Sequence, residues 1–188
     1  MKVRYMTTGA SLPGFSAPAV GFEQPFDMLH ACHDRVQRML TLLQRLRAYL
    51  RERPCDEVAR QAARDVARYF DQAAPLHHED EELHVFPPLL ARGDPEVVAL
   101  VRQLQRDHVC MAADWTAARV PLLALAQCEI DAFTAEDEAA FDRFAARYAD
   151  HIRHEEYRAY PAAQRLLGAE ALEPMGREMA RRRGAGGA

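Results

Sequence analysis

Two eleven-residue segments of the sequence place histidine and glutamate one helical turn apart. The segments are HHEDEELHVFP at 77–87 and HIRHEEYRAYP at 151–161. They share His at the first position, Glu-Glu at the fifth and sixth, an aromatic residue at the tenth and Pro at the eleventh. Residues four apart lie on one face of an α-helix, with Cβ atoms about 5–6 Å apart. His77 with Glu81, and His151 with Glu155, can therefore each offer an imidazole nitrogen and a carboxylate oxygen to one cation.

Two further histidines lie within apolar stripes of other predicted helices. His33 follows Leu29 and His108 follows Leu104, each four residues later in a spacing that faces a core. Burying four imidazoles and two carboxylates without a partner would be costly, and a bound cation removes most of that cost. Nitrogen and oxygen ligands without thiolate suit iron, manganese or zinc, and two carboxylates can bridge two divalent ions. The candidate ligands are His33, His77, Glu81, His108, His151 and Glu155.

Each of these residues also has an ordinary structural interpretation when it is taken alone. His33 or His108 by itself is more often a hydrogen-bonded core histidine, and His77 with Glu81 could be a solvated pair. The repetition of the His–Glu pair, joined to one stripe histidine on each remaining helix, favours a metal site.

Neighbouring histidines and glutamates compete with the candidate ligands. Glu82 and Glu156 are the alternative carboxylates. His78 forms a second i,i+4 pair with Glu82, rotated by one position, and we expect it to face solvent. His30 is expected at the edge of the site, and His84 is expected behind the residues that bind the metal. His154 is expected at the rim.

The elements that must position these residues read as helices throughout. Ala, Leu, Arg and Glu dominate the composition, and apolar residues recur at spacings of three and four. The predicted long helices span about 25–53, 56–91, 95–125 and 135–167, with a kink at Pro75 and a capping box of Thr134 with Asp137. The prediction is an all-α, antiparallel up-down-up-down four-helix bundle over 25–167. An irregular arm at 1–24 precedes it, and a short helix and frayed tail at 168–188 follow it.

Composition excludes several classes of partner. The chain has 188 residues and a formal net charge of −4, which gives no electrostatic case for nucleic acid or an anionic membrane. We expect no apolar run near the roughly 20 residues needed to span a bilayer, and no signal peptide. Four scattered cysteines form no C-x-x-C pair, which is typical of free thiols in a reducing compartment. We expect a cytoplasmic protein. The sequence leaves open whether it forms a homo-oligomer.

The pattern resembles the hemerythrin-like HHE cation-binding domain, a four-helix bundle that holds a non-haem di-iron centre. The matching motifs are Leu29-x-x-x-His33-Asp34-Arg35-Val36, H-x-x-x-E-E-x-x-x-F-P from His77, His108, and H-I-x-x-E-E-x-x-x-Y-P from His151, within about 25–167. The resemblance implies two iron ions, with zinc or manganese as other fitting metals. It also implies that the six candidate ligands hold them, with Glu81 and Glu155 bridging.

The sequence departs from the oxygen-carrying hemerythrins at one ligand. Those proteins have an H-x-x-x-H pair on the third helix, whereas His108 has Leu104 four residues before it and Ala112 four residues after it. One histidine ligand is therefore missing from the pattern. Glu156 lies five residues after His151, so the sequence leaves open which of Glu155 and Glu156 bridges.

A smaller set of protein ligands leaves positions for water or an exogenous molecule. The expected partner is a small diatomic ligand or peroxide, and the first hypothesis is a protein that binds or senses it, or that stores or donates iron. The second is a di-iron redox enzyme, and the third is a structural zinc or single-metal module. We expect His77→Ala and His151→Ala each to lose at least one metal per chain, and His78→Ala to retain its metal.

Overall fold

The computed structural model describes residues 21–185, and all regular structure within this range is helical. The α-helices are α1 (Pro25–Glu52), α2 (Glu57–Arg68), α3 (Ala74–Asp80), α4 (Phe86–Arg92), α5 (Pro95–Ala126), α6 (Ala135–Ala146), α7 (Tyr148–His154), α8 (Tyr160–Leu166) and α9 (Ala169–Arg182). The predicted all-α class is confirmed. Residues 1–20 of the predicted arm, and 186–188 of the predicted tail, lie outside the described range.

Helix starts follow from side-chain caps that satisfy free backbone N–H groups. The Asp56 carboxylate accepts a hydrogen bond from the Ala59 N–H at 3.0 Å, and α2 begins at Glu57, directly after Asp56. Asp94 caps α5 in the same way. The predicted capping box of Thr134 with Asp137 is confirmed at the start of α6. These local signals set where the long helices begin.

Three π-helical turns keep the helices continuous across prolines. They span Tyr69–Ala73, Glu81–Val85 and Glu155–Ala159, and each is followed by one residue and then by Pro75, Pro87 or Pro161. Proline has no N–H and its ring clashes with the carbonyl four residues earlier. In each case the residue before the proline donates its N–H to the carbonyl five residues earlier. The predicted kink at Pro75 is thus a widened turn inside one helical segment, 57–92.

Contacts between the helices place the histidine-bearing elements side by side. Helix α2 packs against α1 and α5, α5 packs against α6, and α4 packs against α5 and α8. The antiparallel up-down-up-down direction of four long segments stays a prediction. Two apolar clusters form the core, one around Leu29, Phe86 and Leu104, the other around Val36 and Phe70. In α1, segment 57–92 and α5, the predicted ligands lie between the residues of these two clusters.

Helix α5 is the single helix in the described range that is long and apolar enough to cross a membrane. This finding rests on length and composition only. It corrects the expectation that no apolar run approaches that length. The same helix carries the buried His108 and packs against α2 and α6, and 28% of its apolar window is buried.

The C-terminal helix α9 is fastened to the rest of the molecule by a buried ion pair. Arg182 and Arg183 donate to the two oxygens of Asp80, each at 2.5 Å, and Asp80 is fully buried. Helix α9 also lies close to the chain before α1. The approach is so close at Gly176 that any larger side chain there would collide with the Phe22 carbonyl. The tail predicted to be frayed from Arg181 is therefore anchored at its first residues.

Candidate metal centre

All six residues predicted as ligands are buried and lie together. His33 comes from α1, His108 from α5, and the two His–Glu pairs come from segments 57–92 and 135–166. In each pair the histidine is the fourth residue of a seven-residue α-helix, and the glutamate is the first residue of the π turn that follows. The i,i+4 spacing therefore holds across the junction between the two helical geometries.

Glu155 reaches imidazoles on both sides with different oxygens. Its Oε2 lies 3.2 Å from His33 Nε2. Its Oε1 lies 2.8 Å from His151 Nε2 and 3.6 Å from His108 Nε2. One carboxylate thus serves two separate groups of nitrogens.

Glu81 has the same two-sided arrangement. Its Oε1 lies 3.6 Å from His77 Nε2, and its Oε2 lies 3.4 Å from His108 Nε2. The Tyr160 hydroxyl donates to Glu81 Oε1 and lies 3.2 Å from His33 Nε2. Each carboxylate therefore has one oxygen on either side of a shared centre, which is what a bridging carboxylate requires.

The donors divide into two halves that each could hold one ion. The first half contains His33 and His77 with oxygens of Glu81 and Glu155, and one ligand atom from each lies within 4.8 Å of the others. The second half contains His78, His108 and His151, whose ligand atoms meet the same limit. A third group, His30, His33 and Glu156, shares a residue with the first half and lies at its edge.

Several buried polar atoms of the centre have no hydrogen-bond partner within residues 21–185. They are Glu81 Oε2, both carboxylate oxygens of Glu155, His77 Nδ1 and His151 Nδ1. A buried polar atom without a partner costs roughly 1–3 kcal/mol, and more when it is charged. Oxygens that face imidazole nitrogens but lack hydrogen bonds fit a centre completed by cations.

Protons take the place of cations in the metal-free protein. Burial alone lowers the pKa of His33, but Glu155, Glu81 and Glu156 together raise it to about 8. Burial also opposes the protonated form of His108, but the nearby carboxylates of Glu155 and Glu81 raise its pKa to about 10. Burial and the nearby Glu155 raise the pKa of Glu81 to about 7. These groups carry protons that a metal ion would displace.

The remaining groups hold the protonation states that ligation needs. Burial works against the ionised form of Glu155, yet His151 and His108 bring its pKa well below the ordinary value. Burial lowers the pKa of His77 and of His78, with nearby imidazoles adding to the effect, so both rings are neutral. Burial and Glu81 raise the pKa of Tyr160, which keeps its hydroxyl protonated as a donor.

The second glutamate of each Glu-Glu pair supports a histidine on another helix. Glu82 Oε1 lies 3.0 Å from His108 Nδ1, and Glu156 Oε1 lies 2.9 Å from His33 Nδ1. A carboxylate on the outer nitrogen fixes the orientation of a ligating imidazole. The structure thus places Glu155 inside the centre and Glu156 outside it, and a bridging role for Glu155 stays a prediction. It places Glu82 outside in the same way.

His78 does not take the solvent-facing position predicted for it. Its ring is half-buried and stacks on His108, with centroids 4.1 Å apart and planes inclined by 14°. Glu82, its predicted partner, contacts His108 and accepts from Gln105 Nε2 at 2.7 Å instead. The prediction assumed that a residue next to His77 on the helix must face solvent. It was wrong because segment 57–92 faces helices on two sides, so that consecutive residues can both point inward.

Two other sequence predictions are settled by contacts around the centre. His30 lies at the edge as expected, with its Nδ1 3.4 Å from Glu156 Oε1. His84 is not beside the ligands but pairs with Glu178 of α9 at 2.6 Å. The Tyr160 hydroxyl was missed, although an aromatic residue at that position of both motifs was the available signal.

These observations define a helical protein with buried histidine and glutamate groups suited to metal ions. The chain matches the model of the Hemerythrin HHE cation binding domain over residues 24–163, and it belongs to that family. The predicted resemblance is confirmed. An uncharacterized protein of Haemophilus influenzae is 32% identical over 162 residues, which cover 86% of this chain and 91% of that protein. Family and site together indicate a metal-binding protein.

Proposed function

We propose that this protein is a non-haem di-iron protein, built as an up-down-up-down four-helix bundle, that binds or senses a small molecule. The proposed ligands are dioxygen, nitric oxide and peroxide. The same proposal includes storage or donation of iron by this centre. The observation that carries the proposal is the placement of Glu81 and Glu155. Each has one oxygen toward each of two imidazole groups, and three of the four oxygens lack hydrogen bonds within the described residues.

The donor chemistry fits iron, and the choice of iron among the fitting metals rests on the family resemblance. The centre offers imidazole nitrogens and carboxylate oxygens without a thiolate, a set used by iron, manganese and zinc. When bound, a pair of iron ions supplies redox activity and coordination positions that the protein leaves free. Glu81 and Glu155 would be shared between the ions, and the imidazoles would complete each half.

An apolar cavity beside the centre supports a small uncharged ligand. Its volume is about 140 Å³, and its lining includes Phe70, Met111, Trp115 and Tyr148 together with the His78 ring. Such a lining disfavours charged substrates, and the cavity volume suits a small molecule. The proposed ligand-binding role rests on this combination of metal donors and apolar access.

One contact favours a redox enzyme as the second candidate. The Tyr160 hydroxyl lies against both Glu81 and His33, so a protonated donor stands inside the centre. Reduction of peroxide, dioxygen or nitric oxide consumes protons as well as electrons, and the Tyr160 hydroxyl could donate a hydrogen bond to the molecule being reduced. The reaction also requires an external reductant.

Anaerobic loading with ferrous iron tests the proposed function. The expected result is two iron ions per chain and an optical spectrum that changes on admission of air or nitric oxide. His77→Ala and His151→Ala should each lose at least one ion, whereas the rim variant His154→Ala should match the unmodified protein. Zinc retained through purification from iron-rich cells, with no spectrum, would overturn the proposal in favour of a structural metal module. Turnover of peroxide with a reductant would favour the enzyme.

A further inference from the structure

The predicted ligand set gives two histidines to each half of the centre. The first half has His33 and His77, and the second has His108 and His151, with the carboxylates shared between them. Helix α5 offers no second histidine one turn from His108, because these positions are Leu104, which is buried in the apolar core, and Ala112, which is exposed. A further donor for the second half must come from another element.

His78 is the imidazole that the fold brings to this position. A ligand atom of its ring lies within 4.8 Å of ligand atoms of His108 and His151. Its ring stacks on His108 and stands edge-on to His151, with centroids 6.2 Å apart. Within residues 21–185 it makes no hydrogen bond and no ion pair, although neighbouring imidazoles and carboxylates are all engaged. An unpaired imidazole facing two proposed ligands has the chemistry of a third.

The local helix explains how adjacent residues serve different halves. His77 and His78 differ by about 100° in direction on a helix of 3.6 residues per turn. The His77 ring contacts His33 at a centroid distance of 4.8 Å, whereas the His78 ring contacts His108 at 4.1 Å. Segment 57–92 therefore lies over the seam between the two halves and supplies one imidazole to each.

We propose that His78 is a metal ligand of the second half and supplies the donor that helix α5 lacks. The proposal rests on the proposed di-metal function, and it reverses the expectation that His78→Ala retains its metal. With His78 included, the second half has three imidazoles and the first has two.

The test compares metal binding by the full chain and by two variants at position 78. His78→Ala and His78→Gln are loaded anaerobically with ferrous iron, and the affinity of each site is measured by competition with a chelator. We expect one ion to bind as in the unmodified protein and the second to bind at least about tenfold more weakly. His154→Ala is the matched control, since it removes a half-buried histidine from segment 135–166.

Added imidazole separates the loss of a ligand from the loss of structure. Because the side chain removed in His78→Ala borders the apolar cavity, free imidazole can enter and restore the second ion. Restoration supports ligation. Two ions bound with unchanged affinity in both variants would overturn the proposal and leave His78 as a wall of the cavity. Failure of imidazole to restore the ion in a weakened variant would also overturn it. Absence of paired metal in the unmodified protein would instead refute the proposed function.

Discussion

The outer carboxylates Glu82 and Glu156 provide a sharp test of how the centre is held. Each contacts the Nδ1 of one histidine, His108 or His33, whose Nε2 faces the shared carboxylates. Replacing either glutamate by glutamine keeps an oxygen that can accept from Nδ1–H but removes the negative charge. Replacing it by alanine removes both. The two substitutions therefore separate charge from orientation.

The expected magnitude follows from the exposure of these side chains. Loss of an outer partner typically weakens metal binding by about 10–100-fold. The Glu82 and Glu156 side chains are 34% and 26% exposed, so water screens part of their charge. We therefore expect Glu156→Gln to weaken one of the two ions by about tenfold, equivalent to about 1.4 kcal/mol. Glu156→Ala should approach the upper limit because the His33 ring also loses its orientation.

The assay is an anaerobic competition titration with a chelator, which reports two stepwise affinities. Glu82 variants should weaken the ion of the second half and Glu156 variants that of the first, so the double variant should affect both additively. Glu79→Gln is the control, because its side chain is 49% exposed and contacts Arg182 rather than a ligand. Affinities of the Glu82 and Glu156 variants within the range of this control would refute the proposed supporting role.

Three further results are expected. At pH 7, metal binding should release about two to three protons, because His33 and His108, with pKa values of about 8 and about 10, must become neutral, and Glu81, with a pKa of about 7, is half protonated. The number should fall as pH rises through 7 and then 8, and calorimetry in buffers of different ionisation enthalpy measures it. Asp80→Asn should lower the free energy of unfolding in urea by about 3 kcal/mol, since it leaves Arg183 and its neighbour without a buried anion. Ala74→Leu should fill part of the cavity and slow ligand association at unchanged metal content, with the rate measured by stopped-flow mixing.

The sequence predicts what is set by helical periodicity. His77 with Glu81, and His151 with Glu155, are joined by a spacing of four, so their convergence needs only that each segment is helical. His33 was predicted from its place in an apolar stripe, because a residue inside such a stripe faces the core whatever its chemistry. These contacts are local or follow from burial alone.

Long-range pairing could not be predicted in the same way. No periodic pattern joins Asp80 to Arg182 and Arg183, which lie about a hundred residues later and approach it only because α9 folds back. A partial signal was present, since Asp80 is three residues after His77 and shares its inward face. A buried carboxylate at position 80 needs a positively charged side chain beside it, so the sequence could have indicated that Asp80 pairs with an arginine or lysine elsewhere in the chain.

His78 shows a different limit of pattern analysis. A hydrophobic stripe assigns one inward face to a helix, and a residue next to that face is then taken to be exposed. Segment 57–92 packs against both α1 and α5, so its inward surface is wider than one stripe. Only the positions of both neighbouring helices reveal that consecutive histidines are directed to different halves of the centre.

The aromatic-Pro ending of both motifs links backbone geometry to the metal centre. Glu81 and Glu155 are each the first residue of a π turn whose carbonyl accepts an N–H from the residue before a proline. The same turn forms at Tyr69 ahead of Pro75, where no carboxylate ligand is involved. Proline rather than metal therefore sets the wide turn. In such a turn, residue i+5 lies about one turn beyond residue i, and this places the Tyr160 hydroxyl at the centre. The motif thus encodes the ligands and the backbone that presents them.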